Sequence, residues 1–99
     1  MTTNIRLAQV AGGGEGNGVL VDVISSVTVA DTRIRQYFYA VSTVASITMS
    51  DSKGIKIRHF AITANDSDSV YMQDLGIRCE GTVSVTGLSD AGRFFVYYG

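Results

Sequence analysis

Apolar and polar residues alternate along much of this chain with a period of two, the spacing of a strand with one buried face. The cleanest stretch is residues 82–86, where Val83 and Val85 point inward and Thr82, Ser84 and Thr86 point outward. Residues 44–50 alternate in the same way, with Ile47 and Met49 set against Ser46 and Thr48. Residues 33–43 form the longest strand candidate, with Ile34, Phe38 and Ala40 on one face and Tyr37, Tyr39 and Val41 on the other. Residues 19–24, 55–63, 70–73, 78–80 and 93–98 complete the domain's set. In residues 55–63 the pattern slips, and a bulge near Arg58 and His59 accounts for the change of phase. No segment holds a helical period.

Turn residues punctuate these runs. Asp51-Ser52-Lys53-Gly54 is a hairpin signal, and Asp31-Thr32, Asn65-Asp66-Ser67-Asp68 and Asp74-Leu75-Gly76 mark further turns. Seven to eight short strands at this spacing predict an all-β fold: an antiparallel β-sandwich or flattened barrel with an extended N-terminal arm. The expected division is an arm and glycine-rich hinge over residues 1–18 and a sandwich domain over 19–99. Five glycines within residues 12–18 mark the hinge.

Composition supports one globular domain. Of the 99 residues, 45 % are hydrophobic and 17 % charged, and proline is absent. The net charge of -1 excludes bulk electrostatic attraction to nucleic acid or to an anionic membrane. Its distribution is uneven. Arg33, Arg35, Lys53, Lys56 and Arg58 cluster in residues 33–59 against Asp51, whereas residues 60–99 carry a net negative charge, with Asp66, Asp68, Asp74, Glu80 and Asp90 against Arg78 and Arg93. Opposite charges meeting across an interface would steer association and fix its register. The lone Cys79 excludes an internal disulfide and reads as a small buried apolar residue. Residues 1–18 lack the apolar core of a secretion signal, and the uncharged residues 36–50 are too short to span a membrane as a helix.

Each candidate for chemistry fails on spacing. The glycine cluster has neither the dinucleotide-loop pattern nor the Lys-Ser or Lys-Thr of a phosphate loop. Residues 65–68 resemble the opening of a calcium loop, but Val70, Tyr71 and Ile77 stand where it needs an oxygen ligand, Gly and Glu. His59, the single histidine, lies inside a strand and reads as a surface or hydrogen-bonded residue. No catalytic, cofactor-binding or metal-binding residue emerges, and the chain is not expected to be an enzyme.

The aromatics are the most informative feature. Tyr37, Phe38 and Tyr39 are consecutive, and Phe94, Phe95, Tyr97 and Tyr98 flank Val96. Neighbours on a strand point to opposite faces, so both faces of these strands carry large apolar groups, although a sandwich needs only one face buried. Interfaces are rich in Tyr and Phe. The expected interface set is Ile5, Leu7, Tyr37, Tyr39, Phe95 and Tyr97, with Ile5 and Leu7 contributed by the arm.

From Val19 onward the order of features resembles small β-sandwich structural proteins of tailed-phage virions. The residues that carry it are 21–23, 33–41, the hairpin at 51–54, 57–62, Val70-Tyr71, Leu75-Gly76 and the terminal 92–98. The resemblance implies a capsid decoration or cement protein that binds the major capsid protein and assembles as a trimer or dimer. It implies a place in the virion after assembly in the host cytoplasm; from charge and motif spacing, no nucleic acid, membrane or cofactor is expected as a partner. A tail, neck or fibre module that recognises carbohydrate or a receptor is the alternative, with Tyr37, Tyr39, Tyr97 and Tyr98 as its stacking surface.

Overall fold

The computed structural model describes residues 5–11, 17–73, 75–88 and 92–99. They form nine strands: β1 (Arg6–Val10), β2 (Gly18–Asp22), β3 (Ala30–Val41), β4 (Ala45–Asp51), β5 (Gly54–Ala61), β6 (Asp66–Tyr71), β7 (Ile77–Thr82), β8 (Ser84–Thr86) and β9 (Arg93–Tyr98). Every pairing is antiparallel. The order is β5-β4-β8-β2-β1-β9-β3-β6, with β7 also on β3. The all-β fold is therefore an antiparallel sheet folded nearly into a barrel.

Strand β2 is where the sheet turns over. It pairs with β1 on one side and β8 on the other. The first layer is β2-β1-β9-β3, continued by β6 and β7, which lie end to end along β3. The second is β2-β8-β4-β5. Leu20, Ile34, Ile47, Met49, Phe94 and Val96 are wholly buried between them. The valines predicted to point inward, Val83 and Val85, are also wholly buried.

The hairpin expected at residues 51–54 joins β4 to β5 and also draws the layers together. Asp51 Oδ1 accepts hydrogen bonds from the Lys53 and Gly54 amides, and its Oδ2 accepts one from the Glu80 amide at 2.7 Å. The Ser52 amide donates to the Glu80 carbonyl at 3.0 Å. These amide donors hold the Asp51 carboxyl below its ordinary value against the opposing effect of burial. Gly76, at φ +77°, makes the corresponding close approach between β6 and β7, because a Cβ there would overlap the Ile34 carbonyl.

Several expectations need correction. Residues 6–10 are not a free arm. As β1 they lie inside the sheet between β2 and β9, with Ala8 and Val10 wholly buried. The hinge expected next to them, residues 12–16, lies outside the described residues. The bulge in β5 falls between the Ile55 and Ile57 pairings, not at Arg58 and His59, so Ile57, His59 and Ala61 share the inner face while Phe60 and Ile62 are exposed. A register shift between Ile34 and Gln36 puts Ile34 on the inner face with Tyr37 and Tyr39, and Phe38 on the outer one. Two expected turns also lie wholly or largely in strands. Asp31-Thr32 lies in β3, and β6 begins at Asp66, where cross-strand pairing with Val41 extends the ladder.

Candidate functional site

Strand parity divides the aromatics into two groups. On the inner face, Tyr37 stacks on Phe94 with ring centroids 5.6 Å apart, and Tyr39 lies 4.3 Å from the His59 ring. Each buried hydroxyl has a partner: Tyr37 is hydrogen-bonded to His59 Nδ1 at 2.7 Å, and Tyr39 donates to Asp66 Oδ2 at 2.8 Å. Burial, with Asp66 accepting that bond, pushes the Tyr39 hydroxyl up to about 12. His59 is the hydrogen-bonded strand residue its position suggested. Tyr37 and Tyr39, expected at an interface, are instead core residues, 4 % and 2 % exposed. The stacking surface imagined for carbohydrate loses both.

The outer face of the first layer holds the second group. Phe38 and Phe95 are cross-strand partners with ring centroids 6.1 Å apart, and Leu7 is the cross-strand partner of Tyr97. With Gln36 and Ser69 these side chains line an open groove of about 400 Å³. Phe38 and Tyr97 are 36 % and 41 % exposed. Of the residues expected at an interface, Leu7, Phe95 and Tyr97 come together here. Ile5 is 49 % exposed just before β1. The sequence reading missed Phe38, because the register shift that turns it outward leaves no signature in the alternation.

Beside this groove is a second one of about 450 Å³, lined by Arg33 and Arg35 of β3, Arg78 and Glu80 of β7, and Asp31. Arg33 and Arg78 are direct cross-strand partners. Arg35 Nε donates to the Gly99 carbonyl at 3.0 Å. The Glu80 carboxylate stands 3.9 Å from both Arg78 and Lys53, and Asp31 accepts a bond from the Gly81 amide. Arg78 is 45 residues from Arg33 in sequence but joins it through the pairing of β7 with β3.

A buried carboxylate holds the strands under this face. Asp22 is 2 % exposed. Its Oδ2 accepts from Arg6 Nε at 2.8 Å and from the Tyr98 hydroxyl at 2.7 Å, and its Oδ1 accepts from the Ile24 and Ser25 amides. One side chain thus ties β1, β2 and β9 together. The Arg6 hydrogen bond, followed by that of the Ser25 amide, holds the Asp22 carboxyl far below the carboxylate range. Burial, then the bond to Asp22, pushes Tyr98 up to about 12.

Among the described residues no three His, Cys, Asp or Glu side chains are grouped to hold a metal ion. Burial pushes the Cys79 thiol up to about 11, away from the nucleophilic thiolate. Among the described residues no helix is long and apolar enough to cross a membrane. Comparison with protein-family models, with curated proteins and with solved structures found no match.

Proposed function

We propose that the protein is a structural module that works by docking, with the outer face of β1, β9, β3 and β6 as its contact surface. The observation that carries this reading is the outward row of Leu7, Phe38, Phe95 and Tyr97, half-buried to exposed side chains that line one open groove on the first layer. Apolar area withdrawn from water contributes about 25 cal/mol per Å², so a partner covering this face gains several favourable contacts at once. The free edges are less suited to the task. Strand β5 carries a bulge and Lys56 and Arg58, and β6 carries Asp66 and Asp68, devices that discourage edge-to-edge pairing.

The finer reading is a virion protein of a tailed phage, a capsid decoration or cement protein seated on the major capsid protein as a dimer or trimer. It is supported by the all-β fold, the uncovered aromatic face and the pattern of residues 19–99. Quantitative mass spectrometry of purified source particles tests it. Copies in the hundreds are expected, and loss of particle binding in Phe38→Ser and Phe95→Ser variants. A protein missing from the particles, or outer-face variants that bind them unchanged, would overturn it.

A further inference from the structure

We infer that the partner presents an extended acidic segment, its carboxylates held by Arg33 and Arg78 and an apolar side chain seated between Phe38, Phe95 and Tyr97. This rests on the docking reading above and adds the chemistry of what docks. Two observations point to it. The first is that the arginine groove and the aromatic groove adjoin on one sheet face. Outward residues run along β3 from Arg33 and Arg35 through Gln36 to Phe38, and along β9 from Gly99 through Tyr97 to Phe95.

The second observation is the direct pairing of Arg33 with Arg78. Like charges facing each other across a ladder weaken the sheet. Among the described residues only Glu80 lies within ion-pair range of either arginine, and at 3.9 Å it is shared with Lys53. A carboxylate between the two guanidiniums would relieve the repulsion, and guanidinium presents a planar fork that matches carboxylate in two-point hydrogen bonds. The chain's net charge of -1 opposes a long polyanion. A short acidic segment needs only the local cations, and its extended form would let alternate residues face the sheet.

The test uses the full chain and two defined ligands in nuclear magnetic resonance titrations: acetyl-Phe-Glu-Glu-Glu-amide and a short oligothymidylate. The peptide should shift the Arg33, Arg35 and Arg78 side-chain signals together with the Phe38 and Tyr97 amides. The Arg33→Ala/Arg78→Ala double variant should weaken its binding by about tenfold or more, and added salt should weaken it in the wild type. Without ligand, Arg78→Thr should melt about 2–4 °C higher than wild type, because it removes the facing charge, a gain that loss of a supporting contact would not produce. Peptide binding that the double variant leaves intact, or no peptide binding at all, overturns the inference. So does binding of the oligothymidylate alone, which would assign the face to single-stranded nucleic acid. If peptide binding fails but the Phe38 and Phe95 variants still release the particle, the docking reading stands and only the acidic partner is lost.

Discussion

The central strands of the two layers differ in what they present to solvent. On the second layer the outward residues of β4 and β8 are Ser46, Thr48, Ser50, Ser84 and Thr86, and Ser50 and Ser84 hydroxyls stand 3.4 Å apart. On the first, the outward residues of β1, β3 and β9 include Leu7, Phe38, Phe95 and Tyr97, with Arg33 and Arg35 at one end. Both layers cover the same core and share β2. On these central strands folding is satisfied by hydroxyl-bearing outer positions, with exposed apolar groups of the second layer lying at its edge, as at Phe60 and Ile62, and the aromatic cluster of the first layer exceeds what the core requires. That excess is the physical ground for assigning contact to the first layer.

The sharpest way to break this contrast is to truncate neighbours on one strand. Phe94→Ala, which empties a wholly buried site, should cost about 3–5 kcal/mol in urea unfolding. Phe95→Ala, one residue on, should cost about 1 kcal/mol or less yet abolish docking. Equal losses of stability would mean that the outer face belongs to the core. Gly87→Ala ranks next. Gly87 has φ +91°, and a Cβ there would overlap the Ser46 carbonyl, so at least about 3 kcal/mol should be lost from the second layer.

The Asp22 anchor gives the first layer its own pH dependence. Because the folded carboxyl lies below its ordinary value of 3.8, its contribution is complete above that value and is lost as pH falls below it. Tyr98 works in the opposite limb. Its folded value of about 12 exceeds the ordinary 10.0, so stability declines as pH rises through that interval. Circular dichroism across both limbs should show a plateau between them. Asp22→Asn should flatten the acid limb and lower the plateau, because it removes the charge that Arg6 and two amides address.

Smaller effects sharpen the comparison further. Tyr37→Phe, which removes the hydroxyl bonded to His59, should cost about 1 kcal/mol by thermal melting without altering docking. Thr48→Val on the second layer's outer face should change stability by no more than about 0.5 kcal/mol and leave docking intact. A docking defect in Thr48→Val would move the contact surface to the other layer.

Strand-by-strand, much of this fold was legible. Val83 and Val85 were correctly placed inside, and the hairpin at residues 51–54 follows from Asp and Gly chemistry alone. Strand β1 was harder to place. Leu7 drew attention as its apolar residue, yet Leu7 faces the outer groove, and the buried positions belong to Ala8 and Val10. Alternation reveals that a strand has two faces but not which face meets the core when both carry apolar groups. Of the expected contact residues, Leu7, Phe95 and Tyr97 meet on one face, whereas Tyr37 and Tyr39 do not. The register shift beside Gln36 is set by the pairing of β3 with β9, whose partners lie 53 or more residues apart in sequence, and lies beyond local pattern.

Local chemistry by itself therefore determined the class of structure, the main hairpin and the presence of apolar groups on both faces of β3 and β9. These depend on period, turn propensity and side-chain type, which neighbouring residues carry. Tertiary pairing decided the rest. It placed β1 inside the sheet, turned Tyr37 and Tyr39 inward and Phe38 outward, and brought Arg78 across from Arg33. Each of those outcomes depends on register between strands distant in the chain, where a shift of one residue exchanges the buried face for the exposed one.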